Sequence, residues 1–161
     1  MSNSWLVRVE PYEGEGFSHF LGRFRRENVL SVTQLGKLTG LEETIARWEK
    51  LYWNPPPSDR QLDMLSEVMG ISRKRLKKLL PQVGEVSMVK PVRLCAACYG
   101  ERSYHRREWQ YRSVWRCERH GVKLLVRCPC CKKDFGLPRD WGTGACQKCG
   151  LAFGEMVRAQ K

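Results

Sequence analysis

Four pairs of potential metal ligands lie between positions 95 and 149, and they constrain this chain more than any other feature. The pairs are Cys95-Ala-Ala-Cys98, Cys117-Glu-Arg-His120, Cys128-Pro-Cys-Cys131 and Cys146-Gln-Lys-Cys149. Two intervening residues allow both side chains of a pair to bind one metal ion from a tight turn, and zinc prefers cysteine and histidine ligands. The four pairs therefore predict two tetrahedral zinc sites.

The region that holds these pairs has few leucine, isoleucine and valine residues. A module of roughly 70 residues with so small an apolar core is marginal without further stabilisation, and a structural zinc contributes on the order of 10 kcal/mol. The eight cysteines could instead form disulfides. However, the first fifteen residues lack the basic start and apolar run of a signal peptide. We therefore expect reduced, metal-bound cysteines in a cytoplasmic protein without a membrane partner.

The pairing of the ligands has two alternatives. Sequential pairing assigns Cys95, Cys98, Cys117 and His120 to the first site and Cys128, Cys131, Cys146 and Cys149 to the second. Interleaved pairing, as in a RING-like module, requires a much shorter segment than the seven residues 121–127. We expect sequential pairing and two Zn²⁺ ions per chain. Cys130 is left over as a bystander, unless the register at Cys128-Pro-Cys130 is shifted.

Residues 17–80 have the apolar periodicity of helices. Phe17, Phe20, Leu21 and Phe24 predict one helix that ends at Asn28; Ser31, Ser58 and Ser72 are predicted N-caps, and Gly40 and Gly70 predicted helix ends. A helix, a glycine turn and a second helix at this spacing indicate a helix-turn-helix. Aligning Gly40 with Gly70 suggests a weak internal duplication. The matched apolar positions are Leu35 and Leu65, Leu38 and Val68, and Leu41 and Ile71.

The predicted fold is mainly α with small zinc-stabilised β elements. An N-terminal arm and helix-turn-helix domain (1–81) is followed by a linker (82–92) and a tandem double zinc-binding domain (93–161) with two zinc-finger or zinc-ribbon modules. Residues 124–127 and 151–153 are the expected ribbon strands. The arm is expected to be a mobile extended segment, followed by a flexible acidic loop at 13–16.

The formal net charge of +12 is unevenly distributed, since residues 71–127 contain 15 Lys and Arg but only 4 Asp and Glu. Such a concentration favours nucleic acid or an acidic protein surface, and a solvated basic face is the alternative. We predict contacts with the RNA or DNA backbone from Arg73, Lys74, Arg75, Lys77, Lys78, Arg106, Arg107, Arg112 and Arg116.

Interleaved aromatic residues suit either base stacking or packing on the metal site. We expect Trp109 and Trp115 in the core and His105 at the surface.

Both predicted metal sites have four protein ligands, whereas a catalytic zinc keeps one position open. The sequence also shows no Ser-His-Asp order, P-loop, paired carboxylates or glycine-rich nucleotide loop. We therefore expect a protein that is not an enzyme and has no small-molecule substrate.

These motifs together resemble the TniQ family of transposition proteins. The resemblance rests on Ser4-Trp5-Leu6-Val7-Arg8, the helix-turn-helix, Cys95-x-x-Cys98, Arg106, Trp109, Cys117-x-x-His120-Gly121, Leu124-Leu125 and Cys128-Pro-x-Cys131. Many members continue with a long helical half, whereas this chain ends after its second zinc site. It is thus most similar to the short forms in transposons whose CRISPR effector is of type V-K. One departure is Cys95-Ala-Ala-Cys98, which lacks the proline common in the first metal-binding turn.

The resemblance implies a target-selection adaptor in RNA-guided DNA transposition. Such a protein is expected to bind the end of a filament of the AAA+ ATPase TnsC and to connect it with the type V-K effector and its guide RNA. Trp5 and Arg8 are candidate partner-binding residues. The expected location is the bacterial cytoplasm, on the nucleoid when the protein is active.

Two other functions are compatible with parts of the sequence. A stand-alone, sequence-specific transcriptional regulator would use the duplicated helix-turn-helix to bind DNA. However, the predicted second helix (42–50) carries more acidic than basic residues, which favours a protein partner for this surface. A zinc-module ubiquitin ligase would require the interleaved pairing of metal ligands.

Overall fold

The computed structural model describes residues 5–161, so Ser4 and the other residues at the start of the predicted arm lie outside the described part. Helices and short strands follow one another as α1 (Phe17–Glu27), α2 (Val32–Thr39), α3 (Glu43–Glu49), α4 (Asp59–Met69), α5 (Arg73–Lys77), α6 (Ala96–Glu101), β1 (Arg116–Cys117) and β2 (Val122–Lys123). Three 3-10 segments span Arg107–Gln110, Pro138–Thr143 and Phe153–Ala159. Within the described residues, no helix has the length and apolar character needed to cross a membrane.

The predicted helix ends are confirmed, and their chemistry explains them. Ser31 accepts a hydrogen bond from the Gln34 backbone while Gln34 reaches back to the Ser31 N–H, and the same capping box opens α4 at Ser58. Gly40 (φ 74°) and Gly70 (φ 70°) end α2 and α4 in the left-handed conformation that glycine adopts without strain. Each helix is therefore delimited by local sequence.

The helix–glycine–helix unit occurs twice, as the alignment of the two glycines suggests. Leu35 and Leu65, five residues before each glycine, are fully buried, and Leu41 and Ile71, directly after them, are also buried. The helices that follow are short, because α3 has seven residues and α5 has five. The five helices enclose one apolar core, formed by Val9, Phe17, Phe20, Leu21, Phe24, Leu35, Leu41, Ile45, Trp48, Leu62, Leu65, Met69, Ile71, Leu76 and Leu79.

A second apolar core surrounds the cysteine pairs. Trp141 lies at its centre, with ring centroids 4.6 Å from Phe153 and 5.8 Å from Tyr99. Trp109 is buried here as predicted. The prediction for Trp115 is wrong, because its side chain is 56% exposed beneath the Arg116 guanidinium.

The prediction that His105 lies at the surface is also wrong. Its ring is buried between Trp109 and Trp141, with centroid distances of 5.3 and 5.0 Å. Burial lowers the pKa of His105 to about 3, so the imidazole is neutral at physiological pH. His105 thus completes the core and does not belong to either group of potential metal ligands in the described residues.

The expected ribbon strands at 124–127 and 151–153 do not form. The described residues contain a single two-stranded antiparallel sheet, in which Arg116 faces Lys123 and Cys117 faces Val122. Residues of the expected strands make only isolated bridges, such as Ala145 with Ala152.

The N-terminal arm and the predicted flexible loop are both held in place. The Asn28 side chain bonds the backbone N–H and C=O of Val7, at 2.6 and 3.0 Å. Glu15 is fully buried and its carboxylate contacts His19 (2.6 Å) and Arg23 (2.8 Å). Burial opposes ionisation of this group, but the hydrogen bonds from His19 and Arg23 keep the pKa of Glu15 below its ordinary value. The mobile arm and the flexible loop were wrong predictions, because Asn28 holds Val7 from 21 residues away and the backbone of residues 14–16 bonds that of residues 105–107.

The helices pack directly against the cysteine-rich half. Gly22 on α1 lies against the backbone of Arg139, in the 3-10 segment Pro138–Thr143. Arg26 donates a hydrogen bond of 2.5 Å to the Arg139 carbonyl, and Glu49 lies between Arg25 (2.6 Å) and Arg139 (3.6 Å). Within the predicted linker, Met88 N–H donates to the Gln110 carbonyl at 2.7 Å. The domain bounds 1–81, 82–92 and 93–161 remain predictions.

Candidate metal centres and basic surface

The first candidate metal centre brings together Cys95, Cys98, Cys117 and His120, whose ligand atoms all lie within 4.8 Å of one another. The Nδ1 atom of His120 faces the three sulfurs, at 3.7 Å from Cys95, 3.3 Å from Cys98 and 3.5 Å from Cys117. Tetrahedral zinc with Zn–S bonds of about 2.3 Å holds its ligand atoms about 3.7 Å apart. The observed separations therefore fit a single zinc ion.

Holding all three cysteines of this centre as thiolates requires a cation. Burial, followed by the neighbouring sulfurs of Cys117 and Cys95, raises the pKa of the Cys98 thiol. Three thiolates cannot occupy so small a volume without a positive charge between them, and a divalent cation supplies that charge.

Local structure explains how the first centre is assembled. Cys95 precedes α6 and Cys98 lies in its first turn, whereas Cys117 ends β1 and His120 lies in the turn to β2. Gly121 closes this turn at φ 64°, with its N–H donating to the Cys117 carbonyl at 2.8 Å. The helix and the hairpin thus face each other with two potential ligands each.

Glu101 borders this centre and was not predicted from the sequence. Its Oε1 lies 2.7 Å from Nε2 of His120, on the side of the ring opposite the sulfurs, and its Oε2 lies 2.7 Å from Arg119. A carboxylate at this position orients a ligating histidine and fixes its tautomer. The available signal was its position in α6, one helical turn after Cys98.

The second candidate metal centre brings together Cys128, Cys131, Cys146 and Cys149. The Cys128 and Cys149 sulfurs are 3.6 Å apart, and those of Cys131 and Cys146 are 3.7 Å apart. These separations again agree with tetrahedral zinc. Each pair is held by the same turn, in which the backbone N–H four residues after the first cysteine donates to its carbonyl, from Lys132 (2.9 Å) and Gly150 (2.8 Å).

The grouping of potential ligands is sequential, and the interleaved arrangement required by the RING-like alternative does not occur. Both groups can bind a metal ion, and their donor sets are consistent with zinc. Cys130 belongs to neither group and is exposed.

A comparison with known protein families agrees with this architecture. Residues 6–124 match the profile of the family described as TniQ. The chain belongs to the TniQ family. The match includes all five helices of the N-terminal half and the whole first metal centre, and it indicates a transposition-associated adaptor. A search of curated proteins finds no match to this TniQ sequence.

The predicted nucleic-acid contacts form two groups in this TniQ protein. In the first, Arg73 contacts Asp63 (3.1 Å), Lys77 contacts Asp59 (2.7 Å) and Arg75 lies 2.5 Å from a carboxylate oxygen of Glu10. Lys74 and Lys78 complete this group, and neither has a carboxylate partner within residues 5–161.

The second group lies between the ligand pairs of the first centre. Arg106 stacks over the Tyr104 ring at 4.9 Å, and Arg116 donates to the Gly121 carbonyl. Arg107 donates to the Leu80 carbonyl at 3.1 Å, so it connects this group with the end of the helical half. Arg112 is exposed. Arg107 and Arg116 therefore support the fold directly, whereas Arg112 is available for a partner.

The two candidate partner-binding residues lie on the described part of the arm. Trp5 is 60% exposed, and the Arg8 side chain is mostly exposed with its Nε 2.5 Å from Glu10. Because Asn28 fixes the intervening Val7, both side chains project from a defined backbone.

Proposed function

We propose that this TniQ protein is a non-catalytic target-selection adaptor in RNA-guided transposition. It binds the end of the TnsC filament and connects it with a type V-K CRISPR effector and its guide RNA. The family match over residues 6–124 carries this proposal. The packing of α1 on the loop between Cys131 and Cys146 supports it, because a rigid body of two joined halves can transmit a fixed spacing between two partners.

The metal centres have a structural role in this proposal. Cys95, Cys98, Cys117 and His120 hold one Zn²⁺, and the four cysteines of the second group hold another. Zinc bound by four protein ligands stabilises a fold and leaves no position for a substrate. It therefore shapes the surfaces that meet partners in the bacterial cytoplasm and on the nucleoid.

The partners are assigned to different surfaces. Trp5 and Arg8 contact a protein partner, TnsC in the first instance, since aromatic and arginine side chains are enriched in interface hot spots. The basic residues of 73–78 and 106–116 contact the RNA or DNA backbone. Among them, Lys74, Lys78 and Arg112 are the strongest candidates, because the described residues provide no carboxylate to neutralise them.

The direct test is a pull-down of the tagged chain from cells that carry the neighbouring genes, with mass-spectrometric identification of the retained proteins. Recovery of the AAA+ regulator and the effector supports the proposal. A W5A/R8A double variant should lose the regulator, whereas V157D, which changes an exposed residue outside the arm, should retain it. Absence of both proteins from the native pull-down contradicts the proposed function.

The stand-alone regulator makes a different prediction. It should select one duplex sequence from random DNA and bind it without other proteins. In this chain, α3 carries Glu43 and Glu49 against Arg47 alone, and a major-groove helix is normally basic. An electrophoretic shift with selected and random duplexes distinguishes the two functions, and the adaptor should show no preferred site.

A further inference from the structure

An apolar groove of about 730 Å³ lies between the connection of α3 to α4 and the segment that follows α5. Its lining includes Tyr52, Trp53, Pro56, Val83 and Val86. Three of these are largely exposed, at 49% for Tyr52, 106% for Val83 and 59% for Val86. Exposed apolar side chains gathered in a concave surface mark a binding site for another molecule.

The groove also contains an unpaired backbone edge. Ser87 and Tyr111 form an antiparallel pair with one backbone hydrogen bond on each side. Arg112 N–H donates to the Val86 carbonyl, and Met88 N–H donates to the Gln110 carbonyl, both at 2.7 Å. Backbone groups alternate in direction along such a pair, so those of Ser87 point away from Tyr111. Neither the N–H nor the C=O of Ser87 is hydrogen-bonded to any other residue of 5–161.

Ser87 lines the apolar groove, so this free edge is available to its occupant. An unpaired edge of this kind binds an extended chain through main-chain hydrogen bonds, while neighbouring apolar surfaces receive alternate side chains. The combination selects an extended peptide over a helix, whose backbone groups are already bonded to each other.

A basic groove of about 710 Å³ meets the apolar groove along Lys77 and the segment 80–83, which line both. Lys78 and Arg107 also line it, and neither has a carboxylate partner among the described residues. Arg75 and Lys77 lie in the basic groove as well, paired with Glu10 and Asp59, and Glu13 is its one acidic lining residue. A chain that leaves the apolar groove therefore passes into a region of net positive charge.

We propose that the apolar groove binds an extended, apolar segment of a partner protein that pairs with the Ser87 edge and continues into acidic residues in the basic groove. The charge of Lys78 and Arg107 selects the acidic continuation. A nucleic-acid strand would satisfy the basic groove but not the aliphatic lining formed by Val83 and Val86. This site does not depend on the proposed TnsC contact, because it uses neither Trp5 nor Arg8. It does use Lys78 and Arg107, so an acidic segment bound here competes with nucleic acid for these two side chains.

Selection from a phage-displayed library of short random peptides on the full, zinc-loaded chain tests this site. The enriched peptides should combine alternating apolar residues with an adjoining run of Asp or Glu. In fluorescence anisotropy, V86D should weaken a labelled enriched peptide by at least about tenfold. K78E should weaken it by about fivefold at low salt, and V157D, which changes another exposed valine, should have no effect.

Zinc content and circular dichroism of each variant establish that the fold is intact before binding is measured. A second arm replaces the acidic residues of the peptide with lysine, and this peptide should bind K78E more tightly than the native chain. The proposal is overturned if no acidic-apolar peptide is enriched, or if V86D binds like V157D. It is equally overturned if V86D leaves peptide binding intact but abolishes binding of a labelled single-stranded RNA. A failed pull-down of TnsC leaves this result unaffected, so the two proposals fail separately.

Discussion

Gly22 of α1 and Arg139, which lies between Cys131 and Cys146, touch through their backbones. A Cβ atom added to Gly22 would lie 2.2 Å from the Arg139 carbonyl oxygen, closer than any real contact. Neither backbone can move freely, since Arg26 bonds the same carbonyl. We predict that G22A lowers the free energy of unfolding by at least about 2 kcal/mol. Urea denaturation followed by tryptophan fluorescence measures this change.

G100A provides the matched control, because Gly100 is also helical and its added Cβ would meet only Gly154 Cα, at 4.0 Å. There the loss of backbone freedom in the unfolded chain should make alanine neutral or stabilising by up to about 1 kcal/mol. Equal stabilities of G22A and the native chain would show that the two halves do not pack as described.

Signals that act over a few residues were sufficient for much of this fold. The Ser31–Gln34 capping box, the glycines after α2 and α4, and the spacing of the cysteine pairs each determine a structure within one or two turns. The resemblance to TniQ rested on the same local motifs and is confirmed by the family match.

Contacts between distant residues decided what the sequence could not predict. His105 and Trp115 each stand beside an arginine in the sequence, but Trp109 and Trp141 enclose His105, whereas Trp115 is exposed. The sequence around Glu15 suggests a solvated acidic loop, but its backbone pairs with Arg106, far along the chain, and Glu15 is buried. Aromatic and acidic residues can be assigned to core or surface only when their partners are known.

The second metal centre should determine the stability of the helical half as well as its own. The segment Pro138–Thr143, which packs on α1, lies between Cys131 and Cys146. We predict that C146S binds one zinc ion instead of two and loses hydrogen-exchange protection in α1. Zinc analysis combined with exchange mass spectrometry tests both effects. C130S, which changes the exposed bystander, should retain both ions and full protection. Normal protection of α1 in C146S would contradict this coupling.

The contact between Glu101 and His120 predicts a measurable effect on metal affinity. Loss of a carboxylate that orients a ligating histidine typically weakens metal binding by about 10- to 100-fold. E101A should therefore release one zinc ion to a chelator at about tenfold lower chelator concentration. E118Q changes an exposed acid within the same Cys117–His120 pair and should behave like the native chain. If E101A and E118Q titrate alike, Glu101 does not orient the ligand.

Buried Glu15 predicts a defined pH dependence of stability. Its folded-state pKa is lowered, so the stability that it contributes is fully present above the unfolded-state pKa of about 4.3 and is lost as pH falls through the folded-state value. At pH 7, E15Q should cost about 3 kcal/mol, because Arg23 and His19 lose their charged partner. The difference between the two proteins should shrink at acidic pH. Urea titrations of the native chain and E15Q across pH measure this difference. Loss of zinc at low pH does not affect the comparison, because the two proteins have the same metal ligands. A difference that stays constant with pH would exclude ionised Glu15 as the source of stability.

The exposed cations Lys74 and Arg112 test whether the basic regions contact nucleic acid. Neither has a carboxylate partner in residues 5–161, so each can neutralise one phosphate without breaking an ion pair. K74E/R112E should weaken binding of labelled guide RNA or duplex DNA and reduce the slope of log affinity against log salt by about one per phosphate contact removed.

The control K37E/K50E makes the same change of charge at two exposed lysines of the helical half. Filter binding over a range of salt concentrations measures both variants. Equal losses in the two variants would attribute binding to net charge alone. A loss confined to K37E/K50E would place the nucleic-acid contact at α2 and the end of α3 instead.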